Sequence, residues 1–209
     1  RNFDNVKIIQ NLMNFGYGYS LKAGIKHAQN DHVVIIDGDG SYPMKNFNEM
    51  RENYEKGFDM VIGKRIGKNL NKTLVKAMLR SILKFIVEFS VGNKIPDINS
   101  GFRIFNRKDV IKYFDQLCDT FSFSTSITLI YHFNKKSIKY IDIDYSKRIG
   151  NSKVKMFRDS LRTMQYISEL LLYFNPIKMF LAISIIFLIA FLSSVILSFV
   201  TILSFNFAY

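Results

Sequence analysis

One short stretch, residues 32–43, most constrains how this chain can fold. It begins with four consecutive β-branched aliphatic residues, 33–36, which predict a buried strand because they favour strands and are too few to span a membrane. Asp37 and Asp39 follow directly, and a polar turn then ends at Pro43. Open α/β sheets place their ligand crevice at the carboxyl ends of such strands, so this tip is the predicted site.

Three interpretations of the two aspartates are open at this point. Asp, Gly, Ser and Pro are common turn residues, so the segment is compatible with a turn alone. A calcium loop needs an oxygen ligand, Gly and Glu at fixed places, and Tyr42 and Asn48 do not meet these requirements. The third interpretation is a site for Mg²⁺ or Mn²⁺, hard ions that one or two carboxylates hold together with substrate phosphates.

The charge distribution points to phosphate or a membrane surface as a partner. The 209 residues include 29 Lys and Arg against 17 Asp and Glu, a net charge of +12. None of these charged residues follows Lys178, so the polar part of the chain is strongly basic. Such a field attracts phosphates, nucleic acid or anionic lipid. The single cysteine, Cys118, excludes an internal disulfide and suits a reducing compartment.

Strand and helix patterns alternate along the chain, which predicts a parallel α/β sheet. Glycines 16 and 18 precede the first helix, where backbone N–H groups can bind an anion. The predicted strands are residues 6–10, 33–36, 58–63 and 138–145; the predicted helices are residues 21–28, 43–56, 70–91, 124–133 and 157–174, while residues 104–117 hold a short strand and a short helix.

Two later segments carry cations in a setting suited to phosphate. Arg103 lies among aromatic residues, where an arginine usually has an acidic or phosphate partner because its planar fork matches both. Asp97 is a candidate for that partner, as a purely structural pair. Residues 146–155 contain four cations around a glycine and small polar residues, which is either a phosphate-gripping loop or a flexible basic loop.

The carboxyl-terminal part predicts membrane attachment. Residues 179–205 contain no charged side chain and exceed the roughly 20 residues that a bilayer core requires, so they are predicted to form a transmembrane helix. The amphipathic pattern of residues 156–175 predicts a helix at the membrane interface. Lys and Arg crowd the amino-terminal flank, so the preceding domain is predicted to face the cytoplasm. Homo-oligomerisation through the interfacial helix stays open.

Five motifs, taken in order, resemble the family-2 glycosyltransferases with the GT-A fold, specifically the polyprenyl-phosphate (dolichyl-phosphate) hexose synthases. They are residues 14–18, 37–41, 63–65, 97 with 100–103, and 148–153. The resemblance implies an α/β fold with a GT-A-type mixed sheet sandwiched by helices, an interfacial amphipathic helix and a carboxyl-terminal transmembrane helix. The implied domains are a catalytic domain at 1–155, the interfacial helix at 156–175 and the transmembrane segment at 176–209.

The resemblance implies inverting transfer of a hexose from a nucleotide-sugar to a polyprenyl phosphate at the cytoplasmic face of the cell membrane. Asp37, Asp39 and Ser41 would hold Mg²⁺ or Mn²⁺ on the donor diphosphate, with Asp37 also contacting the nucleotide. The other implied assignments are Asp97 and Arg103 as catalytic residues on the acceptor side, and Arg65, Ser100, Arg148, Ser152 and Lys153 as substrate contacts, chiefly to phosphates.

Family members carry their nucleotide-base pocket on a first strand and helix that would precede residue 1, so we expect an amino-terminal truncation. A truncated, non-catalytic membrane-anchored remnant is therefore one alternative function. A second is a haloacid-dehalogenase-type phosphatase with Asp37 as nucleophile and Asp39 as acid/base, although the sequence lacks the later paired-acidic motif that such enzymes need. Nucleic-acid binding is disfavoured because the basic charge accompanies a membrane segment and the sequence contains no recognised nucleic-acid module.

Overall fold

The computed structural model describes residues 5–67, 81, 84–85, 87–146 and 156–206. The chain divides into two compact units, Arg1–Leu170 and Leu171–Tyr209. The elements of the first unit are α1 (Tyr17–His27), β1 (His32–Ile35), a 3₁₀ turn (Met44–Asn46), α2 (Phe47–Glu55), β2 (Met60–Ile66), β3 (Arg103–Asn106), α3 (Arg107–Ile111), α4 (Phe123–Phe133) and β4 (Ile138–Asp144). Helix α5 (Met156–Phe174) contains the boundary, and α6 (Pro176–Asn206) makes up most of the second unit.

The four strands form one mixed sheet in the order β1-β3-β2-β4. β3 is antiparallel to both β1 and β2, whereas β2 and β4 are parallel. The mixed sheet and the long apolar carboxyl-terminal helix confirm the predicted fold class. The narrower prediction of a parallel sheet from strand–helix alternation is wrong, because a four-residue strand carries no pattern that reveals its direction.

The register fixes which residues meet at each end of the sheet. Arg103 at the start of β3 is the register partner of Ile35 on β1 and of Ile62 on β2. β1, β2 and β4 therefore finish at the same end of the sheet at which β3 begins. We call this the upper end, and the opposite one, where β1, β2 and β4 begin, the lower end.

β1 is buried on alternate residues, as a strand with one covered face should be. Val33 and Ile35 are buried, whereas Val34 and Ile36 are each 38% exposed. The prediction that all four aliphatic residues are buried is therefore wrong for two of them. Val34 lines an open groove with Phe47 of α2, so the packing of α2 leaves this part of β1 uncovered.

Residues 6–10 were predicted to be a strand, and that prediction is wrong. They have no regular secondary structure, and Ile8 is 86% exposed. β-propensity does not form a strand by itself, because the backbone needs a neighbouring strand to hydrogen-bond with. No strand in the described part of the chain pairs with this segment.

Most of the other predicted elements are confirmed with small shifts in their ends. α1 begins at Tyr17, so Gly18 lies inside the helix instead of before it. α3 lies within residues 104–117, where a short helix was predicted, and it begins at Arg107 because the Asn106 side chain accepts hydrogen bonds from the N–H groups of Lys108 and Asp109 at 2.9 and 3.3 Å. Of the predicted helix at 70–91, residues 87–91 are helical, and most of the remainder lies outside the described residues.

The carboxyl-terminal helices follow the predicted pattern. α5 buries Ile167 and Leu170 but leaves Leu161 52% exposed, so its apolar residues do not all pack on the protein. Within the described residues, one helix is long and apolar enough to cross a membrane, at Pro176–Ile202, with a mean hydropathy of 2.9. Length and composition are all that support this membrane prediction.

Candidate functional site

The upper end of the sheet gathers the candidate residues from three separate parts of the chain. Asp37 and Asp39 follow β1, Arg65 lies near the end of β2, and residues 97–101 lead into β3. The strand register brings these segments together although Asp37 and Gly101 lie 64 residues apart in the chain. The assignment of the tip of β1 as a functional site stays a prediction.

Asp37 is held between a hydroxyl group and a backbone. The Tyr17 hydroxyl at the start of α1 donates to Asp37 Oδ1 at 2.7 Å. On the other side lies Gly101, where an added Cβ would stand 2.5 Å from Asp37 Oδ2. Burial, followed by the charge of Asp37, raises the pKa of Tyr17, so this hydroxyl stays a proton donor at neutral pH. Only glycine permits the carboxylate to approach the chain this closely at residue 101.

Asp39 is held by the residue two places further along the turn. The Ser41 backbone N–H donates to Asp39 Oδ1 at 3.1 Å, and the buried Ser41 hydroxyl donates to the same oxygen. Ser41 thus orients Asp39 in this structure. Its assignment as a direct metal ligand stays a prediction.

Arg65 and Asp97 form a two-pronged ion pair at the same end of the sheet. Arg65 Nε and Nη2 each lie 2.8 Å from a different oxygen of Asp97, and the Arg65 backbone N–H adds a third hydrogen bond at 3.1 Å. Burial alone would raise the pKa of Asp97, but the hydrogen bonds and charge of Arg65 outweigh it and lower that pKa. The Arg65 guanidinium also stands over the Tyr145 ring, 5.4 Å from its centroid.

Arg103 has different partners from those the sequence suggested. It is fully buried and donates to the carbonyl oxygens of Ser100 and Ile98 and to the Thr128 hydroxyl, at 2.7, 2.9 and 2.6 Å. Asp97 pairs with Arg65 instead, so the structural-pair hypothesis for Asp97 and Arg103 is wrong. A contact between Arg103 and an acceptor stays a prediction.

Ser100 is likewise buried, and its hydroxyl donates to the Gly63 carbonyl oxygen at 2.6 Å. Its assignment as a substrate contact stays a prediction, as does that of Arg65. Arg148, Ser152 and Lys153 lie outside the described residues, and so does most of the predicted phosphate-gripping loop at 146–155.

The glycines at the start of α1 serve packing. The Gly18 and Tyr19 N–H groups donate to the carbonyl oxygens of Thr120 and Asp119 at 3.2 and 2.9 Å. An added Cβ at Gly18 would collide with the Cys118 carbonyl oxygen. These two amides are committed to residues 119–120, so they do not form the anion site that the glycine spacing suggested.

Sequence reasoning missed three residues that shape this site. Tyr17 holds Asp37, the Tyr42 hydroxyl accepts the Gly101 N–H at 2.7 Å, and Thr128 accepts from Arg103. Each contact joins residues at least 20 apart in sequence, so no local sequence pattern predicts it. Of the three, only Tyr17 could have been suspected from the sequence, because it lies between the two glycines of residues 16–18.

The donor set limits what kind of metal site is chemically reasonable. Among the described residues, no group of three or more His, Cys, Asp or Glu side chains could hold a metal ion. Asp37 and Asp39 therefore offer a pair of carboxylates, not a complete cage. That set fits Mg²⁺ or Mn²⁺, which take their other ligands from water and substrate phosphates, and does not fit a structural zinc site.

Comparison with known proteins gives one family and one fold. The family model described as Glycosyl transferase family 2 matches residues 1–114. Two proteins of Bacillus subtilis (strain 168) are each 37% identical over 60 residues: CsbB, whose name marks its glycosyltransferase activity as unproven, and the uncharacterized glycosyltransferase YkcC. Those residues are 29% of this chain and only 18% and 19% of the two relatives.

Glucosyl-3-phosphoglycerate synthase of Mycobacterium tuberculosis, solved with Mn²⁺, UDP-glucose and glycerol 3-phosphate, resembles this chain with a TM-score of 0.58. The identity is 16%, and the match covers 74% of this chain and 55% of that one. At such low identity the likeness shows the fold, which is of the GT-A type. The family model covers more than half of the chain, and it overturns the phosphatase interpretation of Asp37 and Asp39. The chain belongs to glycosyl transferase family 2.

Proposed function

We propose that this protein transfers a hexose from a nucleotide-sugar to a polyprenyl phosphate at the cytoplasmic face of a membrane, with inversion at the anomeric carbon. The observation that carries the proposal is the upper end of the sheet, where Asp37 and Asp39 follow β1 and the Arg65–Asp97 ion pair lies near the end of β2. Family membership and the GT-A fold support glycosyl transfer. The nucleotide-sugar in the mycobacterial neighbour supports a donor of that class.

Asp37 and Asp39 would hold Mg²⁺ or Mn²⁺, with Ser41 as a further proposed ligand. When bound, the ion would neutralise charge on the leaving diphosphate of the donor. The mycobacterial neighbour was solved with Mn²⁺, which supports this choice of metal. Tyr17 and Ser41 orient the two carboxylates through neutral hydrogen bonds. The hydrogen bond from Tyr17 leaves the negative charge of Asp37 in place, as a cation ligand requires.

The ion pairing of Asp97 favours a phosphate as the acceptor over a hydroxyl group. A hydroxyl must usually lose its proton to a general base, and a base works best with a pKa near the working pH. Asp97 is ion-paired and its pKa is lowered, which makes it a poor base. An acceptor phosphate is already ionised at neutral pH and needs no such base. Positioning and charge neutralisation would then supply most of the rate acceleration.

The cationic residues would bind the phosphates of the donor and acceptor. Arg65 lies at the upper end, where its ion pair with Asp97 holds the guanidinium in position. Arg148, Ser152 and Lys153 would contact the lipid phosphate or the leaving group. The proposed catalytic domain is residues 1–155, and its excess of positive charge suits anionic substrates. Ser100 and Arg103 would complete the acceptor side.

The carboxyl-terminal part would bring this domain to its lipid substrate. α6 is long and apolar enough to cross a membrane, and residues 156–175 would lie at the interface. A membrane-anchored enzyme meets a polyprenyl phosphate in two dimensions, which raises the effective concentration of the acceptor. The same segment would hold the enzyme in the cell membrane with its catalytic domain in the cytoplasm.

The test is a transfer assay on membranes that contain the full-length gene product. With radiolabelled UDP-glucose, a long-chain polyprenyl phosphate and Mn²⁺, we expect label in glycolipid and loss of transfer when the metal is chelated. Transfer by Asp39→Ala at the wild-type rate would refute the metal site. A panel of nucleotide-sugars that yields no glycolipid, from a protein that still binds Mn²⁺, would favour the alternative of a non-catalytic membrane-anchored remnant.

A further inference from the structure

Residues 97–101, which we call the acceptor loop, carry two groups that touch the candidate site. Asp97 binds Arg65, and Gly101 packs against the Asp37 carboxylate. A small movement of this loop would therefore disturb both the ion pair and the carboxylate. The loop lies outside the strands, so side chains must hold it in place.

Each residue of the acceptor loop is fixed by a hydrogen bond. The contacts are Asp97 to Arg65, the Ile98 carbonyl to Arg103, the Asn99 side chain to Thr125, the Ser100 carbonyl to Arg103 and its hydroxyl to the Gly63 carbonyl, and the Gly101 N–H to Tyr42. Arg103 alone binds two of the five residues. Its removal would leave the Ile98 and Ser100 carbonyl groups without their arginine donor and so loosen the loop.

The environment of Arg103 is energetically unfavourable for a charged group. It is fully buried, and its hydrogen bonds are to carbonyl oxygens and a hydroxyl instead of a carboxylate. Burying a charge is unfavourable unless hydrogen bonds in its environment compensate for the lost water. Lysine would not replace it, because a single ammonium does not present the planar fork that reaches three separated acceptors.

Thr128 connects Arg103 to a rigid helix. Its hydroxyl accepts from Arg103 Nη1 at 2.6 Å and donates to the Ser124 carbonyl oxygen, one turn earlier in α4, at 2.7 Å. The hydroxyl proton is thereby directed into the helix and the lone pair toward Arg103. The acceptor loop is linked to α4 through Arg103 and Thr128. It is also linked directly, by the Thr125 hydroxyl on Asn99 and by the longer contact of the Thr128 hydroxyl with the Ile98 carbonyl oxygen at 3.4 Å. Residues 123–131 of α4 are all buried.

We infer that Arg103 and Thr128 are positioning residues that fix the acceptor loop, and through it set the Asp97–Arg65 pair and the Asp37 carboxylate. Neither needs to touch a substrate to do so. The expected effect of these residues on sugar transfer rests on the proposed function, whereas their effect on the order of the acceptor loop does not. Arg103 would act on transfer through Asp97 and Gly101.

Hydrogen exchange of the full chain in detergent micelles, detected by NMR, tests the ordering directly. The reporters are the N–H groups of Arg65, Asn99 and Gly101, which donate to Asp97, Asp97 and Tyr42. Thr128→Val keeps the shape of the side chain but removes its oxygen, and we expect about tenfold faster exchange at these three amides, as for the loss of one buried hydrogen bond. Thr128→Ser should restore slow exchange.

The matched control is Ser126→Ala, which removes another buried hydroxyl from α4. Ser126 contacts the Cys118 N–H and the Phe123 carbonyl oxygen, not the acceptor loop. Unchanged exchange at the three reporters in Thr128→Val, or faster exchange spread evenly over the chain as in Ser126→Ala, would overturn the inference. If Thr128→Val does not fold, Arg103→Lys keeps the buried charge and should give the same local loss of protection.

The transfer assay supplies the second readout. Thr128→Val should lower kcat about tenfold while the KM for UDP-glucose changes less than about twofold, and Thr128→Ser should recover kcat. Equal loss of kcat in Ser126→Ala and Thr128→Val would reduce the role of Thr128 to general stability. Should wild-type membranes transfer no sugar, the proposed function fails, while the exchange measurement still decides whether Arg103 and Thr128 order the loop.

Discussion

The two aspartates that follow β1 and the aspartates at the lower end of the sheet have different hydrogen-bond donors. At the upper end, Asp37 accepts from the Tyr17 hydroxyl and Asp39 accepts from Ser41. At the lower end, Lys136 binds both Asp59 and Asp109, at 3.1 and 2.9 Å. A neutral donor orients a carboxylate and leaves its charge in place, whereas an ammonium also cancels that charge.

This contrast separates a candidate cation site from a structural cluster. The Ser137 N–H and hydroxyl add hydrogen bonds to Asp59 at 2.7 and 2.8 Å, and Lys112 adds an ion pair to Asp109 at 2.9 Å. The pKa of Asp109 is lowered chiefly by its hydrogen bonds with Lys112 and Lys136. Negative charge at the lower end is therefore used to join α3, β2 and β4. Acidic residues alone do not identify a metal site.

The sharpest test of the comparison is the same substitution at both ends. Asp39→Asn should reduce transfer by at least about 100-fold, equivalent to ~2.7 kcal/mol, because an amide is a poor ligand for Mn²⁺. Asp59→Asn should leave transfer within about twofold and lower the free energy of unfolding by about 1 kcal/mol. Membrane transfer assays and urea unfolding in detergent micelles measure these quantities. Equal effects on transfer would mean that the two ends do not differ in function.

A second substitution tests the packing of Asp37 against the acceptor loop. Gly101→Ala places a methyl group 2.5 Å from Asp37 Oδ2, so the carboxylate or the loop must move. We expect about tenfold weaker Mn²⁺ binding, measured by electron paramagnetic resonance, in line with the usual cost of overpacking. Gly24→Ala is the control, since an added Cβ there meets no atom within 4 Å. Wild-type affinity in Gly101→Ala would show that the close approach does not matter.

Removal of the cation at the lower end should affect stability and not metal binding. Lys136→Met should lower the free energy of unfolding by about 0.5–1 kcal/mol at pH 7, as expected for partly exposed pairs, with unchanged Mn²⁺ affinity. A loss of Mn²⁺ affinity in this variant would contradict the assignment of the lower end as structural.

The cost of Lys136→Met should also depend on pH in one direction. For Asp59, burial opposes ionisation, but hydrogen bonds from Ser137 and Lys136 outweigh it and lower the pKa, as the lysines do for Asp109. A lowered folded-state pKa stabilises the protein above the unfolded value of about 3.9, and this contribution is lost as the pH falls through the folded value. Urea unfolding of both proteins between pH 7 and pH 3 should show the difference shrinking below about pH 4.

The smallest expected effect is that of the neutral donor at the upper end. Tyr17→Phe removes the 2.7 Å hydrogen bond to Asp37 without changing charge or ring packing on Phe121. About threefold weaker Mn²⁺ binding should follow, which is at the lower end of the roughly 0.5–1.5 kcal/mol that one hydrogen bond contributes. Tyr19→Phe, two residues along α1 and 40% exposed, is the control and should bind as wild type. Identical affinities for the two variants would leave Tyr17 with no role at the site.

Much of the fold could be predicted because it depends on local patterns. β2, β4, α2, α4, α5 and α6 lie where hydrophobic periodicity and turn residues predicted them. The failure at residues 6–10 came from the same kind of reasoning, because strand propensity says nothing about whether a partner strand is present. The direction of β3 was missed for a related reason, since antiparallel pairing is a property of two strands and not of one.

The sequence by itself determined the elements and the chemistry at the tip of β1: two carboxylates after an aliphatic strand, later cations, and a long uncharged segment. Only the tertiary structure decided which partners these groups have. It paired Asp97 with Arg65, buried Arg103 against Thr128, and brought Tyr17 to Asp37. Hydrogen bonds require atoms within about 3 Å. For residues 20 to 32 apart along the chain, that proximity depends on strand register and helix packing, which no single segment encodes.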